Sequence, residues 1–235
     1  MTEEALPLVF EGIPLGLLPG GARMGSDPNA VFSLEVRPHE TVVVIGDATS
    51  GVDALTALVL GLDPAPGGRA LVWGTEIALL SRLKQLAFRR RVGYLPAGDG
   101  LLQNLSLRDN IRLPLRFGSD FQPDEIEGRV DVILAQLRLK AVAHFRPAAA
   151  TEEERRRAAL GRALAFDPEL VVLDQPFDGL NERVAAELLE VARGGEVAEG
   201  GRRTVFITGQ DIPAMLRPRV ERLVRRGAHP ASVRA

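Results

Sequence analysis

The chain of 235 residues carries 29 Lys+Arg against 31 Asp+Glu, a formal charge of −2, and 46% of its residues are hydrophobic. At roughly 100–200 residues per domain, this length fits one large domain or one with an inserted subdomain. The near-neutral balance argues against a nucleic-acid partner, which would need a basic patch, and the absence of cysteine excludes disulfides, thiolate metal sites and a cysteine nucleophile. Only two of the cations are lysines, Lys84 and Lys140, a scarcity that bears on phosphate chemistry. The longest apolar run, near Ala57–Leu60, falls far short of the ~18 residues that span a bilayer. Met1–Glu4 is acidic and lacks the basic region that opens a secretory signal, so a cytoplasmic protein is expected.

Short β-type runs come first, over Leu6–Phe10, Val31–Arg37 and Thr41–Ile45, separated by Gly, Pro and Asp clusters. Val42-Val43-Val44-Ile45 is β-branched throughout, which suits a parallel strand buried on both faces. It stops at Gly46, and a helical pattern over Asp53–Leu62 follows. Strand, glycine-bracketed loop and helix is an order that turns backbone N–H groups toward an anion. A hairpin-like piece at Arg69–Trp73 leads into a polar helix at Ser81–Arg91, and Val92–Pro96 is a short strand ended by proline. Residues 101–165 read as mostly helical, with Pro123 opening one helix and Thr151 capping another. Leu170–Asp174 is a second buried strand ending in a carboxylate; Thr204–Ile207 and Arg222–Arg226 complete the set. Strands alternating with helices predict an α/β fold with a mainly parallel sheet. His39, His144 and His229 are scattered and predict no metal site.

Three stretches carry a family resemblance. GRALAFDPELVVLDQPFDGLN (Gly161–Asn181), RVGYLPAGDGLLQNLSLRDNIRLPL (Arg91–Leu115) and HETVVVIGDATSGVDAL (His39–Leu55) resemble, in turn, the Walker B and D-loop region, the Q-loop with the start of the helical subdomain, and the Walker A region of ABC transporter nucleotide-binding domains. The resemblance implies a P-loop NTPase-like parallel core with an antiparallel β piece and an inserted helical subdomain. On that pattern the core is residues 1–97 and 160–235, and the subdomain is 98–159.

The family hydrolyses ATP between two domains, and the resemblance sets this chain's residues against that task. Gly46, Ala48, Thr49, Ser50 and Gly51 form the phosphate loop, but Val52 stands where the family has lysine and Asp53 where it has the Mg²⁺-binding Ser/Thr. A like-charge contact of Asp53 with polyphosphate would cost on the order of a few kcal/mol. The signature segment reads Thr151-Glu152-Glu153-Glu154, whose spacing matches a capping box that satisfies its own helix end. Asp174 keeps the Walker B carboxylate, whereas Gln175 replaces the glutamate that polarises water, Gln210 the H-loop histidine, Ala97 the Q-loop glutamine and Asn181 the D-loop aspartate. No aromatic stands at the adenine position before Val31. These replacements predict a catalytically inactive subunit, not an enzyme, with no cofactor and no metal; ATP and Mg²⁺ enter only if the altered site still binds. Its partners would be an ABC permease, an active ABC ATPase subunit or both, docked near Leu101–Leu115, with a dimer as one option and peripheral attachment to the inner membrane through those partners. The alternatives are a nucleotide or anion sensor that binds without hydrolysis, and a slow ATP-hydrolysing subunit of an ABC transporter.

Overall fold

A computed structural model describes residues 5–21, 31–195 and 202–226. Met1–Glu4, the stretch just before Val31 that would hold the adenine-facing aromatic, and His229 lie outside the described residues.

Two sheets form the frame. Strands β1 (Leu8–Ile13), β2 (Phe32–Val36) and β4 (Arg69–Leu71) make an antiparallel sheet in the order β2-β1-β4. Strands β3 (Thr41–Gly46), β5 (Val92–Leu95), β6 (Leu170–Asp174), β7 (Thr204–Gly209) and β8 (Arg222–Arg226) make a parallel sheet in the order β5-β6-β7-β3-β8. The helices between them are α1 (Leu55–Val59), α2 (Arg82–Arg89), α3 (Leu107–Gly118), α4 (Pro123–Gln136), α5 (Glu152–Ala163) and α6 (Glu182–Arg193). The expected α/β architecture with a parallel core, an antiparallel piece and a helical insertion is what the chain forms.

β3 and β6 are buried along their whole length because both sheet faces are covered. Side chains alternate across a strand, so Val43 and Ile45 join Val171, Leu173, Val205 and Ile207 in a core shared with α3 to α6. Val42 and Val44 face the other way, into a core with Val172, Phe206, α1 and the antiparallel sheet. Phe10 joins the two sheets there, with ring centroids 5.5 Å from both Phe32 and Phe206.

Two expectations change. The helix predicted over Asp53–Leu62 is only Leu55–Val59. Its approach is a run of tight turns, with the amides of Ala54 and Leu55 bonded to the carbonyls of Gly51 and Val52, three residues back. It ends at Gly61, whose φ of +60° reverses the chain. The apolar segment Leu101–Leu115, expected as a docking surface, is divided: Leu101, Leu107, Ile111 and Leu115 lie in the helical core, while Leu102 to Asn104 are exposed. Leu107, Ile111 and Leu115 recur every four residues, the spacing of a buried helix face, and Leu102 is 44% exposed.

Two glycines mark close approaches of different kinds. A Cβ on Gly93 would stand 2.6 Å from the backbone carbonyl of Ala163, whereas one on Gly161 would meet only methyl ends of Ile133, Leu137 and Ile111 at 2.9–3.0 Å. Gly93→Ala should therefore lower the unfolding free energy by about 1–3 kcal/mol. Gly161→Ala, aided by up to about 1 kcal/mol of helix propensity, should be much milder. Urea denaturation of the two variants checks the order.

Candidate functional site

In an open parallel sheet, chemistry collects beyond the carboxyl ends of the strands. Here those ends bring together the loop after β3, Ala97 after β5, Asp174 and Gln175 at the end of β6, and Thr208 in β7.

Asp174 is 7% exposed. Thr208 Oγ1 donates to its Oδ1 at 3.0 Å. Burial pushes the Asp174 carboxyl above its ordinary range; the Thr208 hydrogen bond and the Ala97 backbone oppose this, while the charges of Asp53 and Asp178 add to it. Asp53, in the loop after β3, is near enough for its charge to act on Asp174, and its Oδ1 is buried with no hydrogen-bond partner among the described residues. Tyr94 lies beside this group, its hydroxyl pKa raised by burial and by Asp174. Gln175 follows with φ +46°, a left-handed conformation uncommon outside glycine, and its amide donates to the Thr208 carbonyl at 2.8 Å. The sharp turn aims its half-exposed side chain away from the strand line.

The loop Gly46–Asp53 closes on itself. Asp47 accepts from the amide and hydroxyl of Thr49 at 2.9 and 2.7 Å, and these bonds hold its carboxyl below the ordinary range. The Ser50 amide and hydroxyl both donate to the Asp47 carbonyl, at 3.0 and 2.6 Å, and Ser50 Oγ accepts from the Val52 amide at 3.3 Å. A Cβ on Gly46 would collide with Ser50 Oγ at 2.2 Å, and one on Gly51 with the Leu15 carbonyl at 2.4 Å. The 3-10 turn Leu15–Leu17 thus packs against the loop. Ala48 and Thr49 are exposed. Val52 is 0% exposed and packs into the core with Leu55 and Val59. Its side chain is an apolar anchor, not a lining group of the loop. Asp47 was not singled out in the sequence, although Asp followed two residues later by Thr is the signal of such a turn.

The signature-equivalent segment opens helix α5. Thr151 and Glu154 form the expected capping box, with Glu154 accepting from the Thr151 amide at 2.8 Å. Glu153 pairs with Arg157 at 2.8 Å, and Glu152 lies against Gly179. Two of the three carboxylates are therefore engaged within their own helix. Helix α5 also grips the loop after β5. Arg155 pairs with Asp99 at 3.0 Å, Arg156 donates to the Gly98 carbonyl, and Arg162 donates to the Gly100 and Asp99 carbonyls at 2.6 and 3.2 Å. Asn181 caps α6 by accepting from the Val184 amide at 3.0 Å, and Gln210 is exposed. Among the described residues no group of three His, Asp or Glu is placed to hold a metal ion, and no helix is long and apolar enough to cross a membrane.

Residues 30–178 match the family model described as ABC transporter. The lipoprotein-releasing system ATP-binding protein LolD of Chromohalobacter salexigens is 30% identical over 193 residues, 82% of this chain and 81% of that protein. The methionine import ATP-binding protein MetN 2 of Pseudomonas aeruginosa is 30% identical over 67% of this chain, which spans about half of it (47%). Among solved structures, the dimeric ATP-binding cassette MJ0796 in a post-hydrolysis state with ADP and Pi superposes with a TM-score of 0.77 at 20% identity, covering 93% of this chain and 94% of that one; at that identity it shows the fold. These matches overturn the expectation that the chain is not an enzyme. The relatives are ATP-binding proteins of transport systems, and residue differences at positions 52, 53, 97, 175 and 210 do not themselves show a loss of turnover. The expectation of no cofactor gives way with it, to a nucleotide.

The buried seat of Val52 has a direct consequence. Val52→Lys, the substitution that would supply the family's lysine, should place an ammonium in apolar surroundings and cost on the order of 3 kcal/mol of stability. Urea denaturation alongside ATP titration checks it: a variant of unchanged stability with a gain in ATP affinity would contradict this placement.

Proposed function

Because the chain belongs to the ABC transporter family, we propose that it is the ATP-binding subunit of a membrane transport system and that it hydrolyses ATP slowly. The observation that carries this reading is the pair of carboxylates beyond the strand ends: Asp174, buried and held by Thr208, and Asp53, in the loop after β3, with one buried oxygen that has no hydrogen-bond partner among the described residues. Two such carboxylates repel polyphosphate but suit a divalent cation, and Mg²⁺ is commonly held through one or two carboxylates together with substrate phosphates. Asp174 and Asp53 would hold the ion; bound there, it supplies neutralisation of phosphate charge. The amides of Ala48 to Gly51 would meet the phosphates once the internal bonds of the loop rearrange. Gln175 can orient a water through its amide but cannot take its proton, and loss of a general base lowers rates by about 10²–10⁴. That deficit is the reason for slow turnover.

The partner in this reading is a permease, which would hold the subunit at the inner membrane, with residues 98–159 as the helical subdomain turned toward it and Leu102 at the contact. A second ATP-binding chain would complete the site in a dimer.

Turnover of Mg²⁺–ATP by the purified chain, measured against an Asp174→Asn control, tests the reading. The expected result is slow hydrolysis, absent in the control and in the absence of divalent cation, and raised by about 10²–10⁴ in Gln175→Glu. Turnover no higher than that of the control would overturn it; nucleotide binding with no turnover would point to a sensor instead.

A further inference from the structure

A cleft of about 410 Å³ opens on the far side of α6, bounded by the end of α4, by α5 and by the 3-10 turn Ala214–Arg219. We propose that it is a binding site for a small organic molecule carrying two anionic groups, phosphates or carboxylates.

The charge balance of the lining is the first argument. Arg138, Arg157, Arg183 and Arg219 face Glu187 and Glu190, an excess of two positive charges among the described lining residues. Glu187 alone accepts three guanidiniums: Arg157 at 2.6 Å, Arg183 at 2.6 Å and Arg138 at 3.5 Å. Each guanidinium presents five N–H donors, so one carboxylate leaves most of them without an ionic acceptor. Arg157 is fixed, its side chain 5% exposed and held by Glu153 as well. Arg138 and Arg183 are 70% and 66% exposed. Exposed ion pairs of this kind contribute little, so an incoming anion can recruit both with small loss.

The second argument is spacing. Arg219 approaches Glu190 at 3.6 Å, one helical turn along α6 from the Glu187 cluster. The cationic groups therefore form two centres, which matches a ligand with two anionic ends. The volume falls within the range of about 300–1,000 Å³ that holds organic ligands and is far larger than one inorganic ion needs. Val191 and Met215 supply an apolar wall for the body between the ends.

The third argument is the backbone at Arg138. This residue follows α4 with φ +58°, its amide bonded to the Ala135 carbonyl at 3.1 Å and the next amide, of Leu139, to Leu134 at 2.8 Å. That is a helix-ending motif whose left-handed position is normally filled by glycine. An arginine therefore occupies a position where glycine is less strained, and its side chain lines the cleft.

Met215 is one of three methionines, with Met1 and Met24, and supplies a local probe. In methyl-¹³C-methionine NMR, with the Met215 signal assigned through Met215→Leu, fructose 1,6-bisphosphate and citrate are titrated separately against sodium chloride at matched ionic strength. The expected result is a saturable shift of the Met215 methyl with at least one of them, at a Kd below about 1 mM. Which of the two acts distinguishes phosphate from carboxylate. Arg183→Gln with Arg219→Gln should weaken the response about tenfold or more. Arg138→Gly should weaken it as well while raising Tm, the opposite of a folding defect. No saturable shift with either compound, or an affinity unchanged in both variants, would overturn the proposal. The Met215 signal reports on the cleft alone, so nucleotide binding at the strand ends neither produces nor masks the result.

Discussion

A parallel sheet covered on both faces leaves its polar groups one outlet, the carboxyl ends of its strands. β3 and β6 are buried along their whole length and apolar through most of it, so polar chemistry collects at and beyond Gly46 and Asp174. A carboxylate there loses water on one side and must be satisfied by its neighbours. Thr208, one strand over and in register with Asp174, provides that hydrogen bond. Asp53, entering from the loop after β3, adds a second negative charge, and its Oδ1 has no hydrogen-bond partner among the described residues. The proposed preference of the site for a cation over a bare phosphate rests on that crowding.

The helical part is joined to this outlet through arginine. Arg155, Arg156 and Arg162 on α5 hold the backbone of Gly98–Gly100, the segment that leaves β5 beside Asp174. A movement of α5 therefore moves the loop nearest the carboxylates. The opposite side of the helical layer uses the same residue type differently. Around Glu187 and Glu190 the arginines outnumber their acceptors, whereas Arg155, Arg156 and Arg162 of α5 each meet a carbonyl or carboxylate of the loop.

What could be read from the sequence was local. Val42–Ile45 and Leu170–Asp174 were legible because so short an unbroken β-branched or aliphatic run suits a strand buried on both faces. Pro123 and Thr151 were legible because capping is a matter of neighbouring residues, and both open helices as expected. The α1 helix was overdrawn: apolar spacing continues through Asp53 and Leu62, but tight turns on one side and Gly61 on the other leave five residues. Leu101–Leu115 was assigned to the surface although its four-residue recurrence was the pattern of a core helix. Val52 could not be placed by motif position, since a loop residue's backbone and side chain can face opposite ways. The α5 arginines and the cleft over α6 depend on contacts between distant segments and left no trace in local spacing. The family was visible in three motif stretches, while activity was read too strongly from the residues that differ.

The central claim is that the Asp53–Asp174 pair sets how the site receives phosphate. Calorimetric titration of ATP into the wild-type chain and into Asp53→Asn, each with and without Mg²⁺, tests it most directly. Removing a like charge at a few ångströms is worth on the order of 1 kcal/mol or more. The account predicts that Asp53→Asn binds metal-free ATP about tenfold more tightly than wild type, and that its gain from added Mg²⁺ is smaller. Equal affinities and equal Mg²⁺ dependence in the two proteins would contradict it.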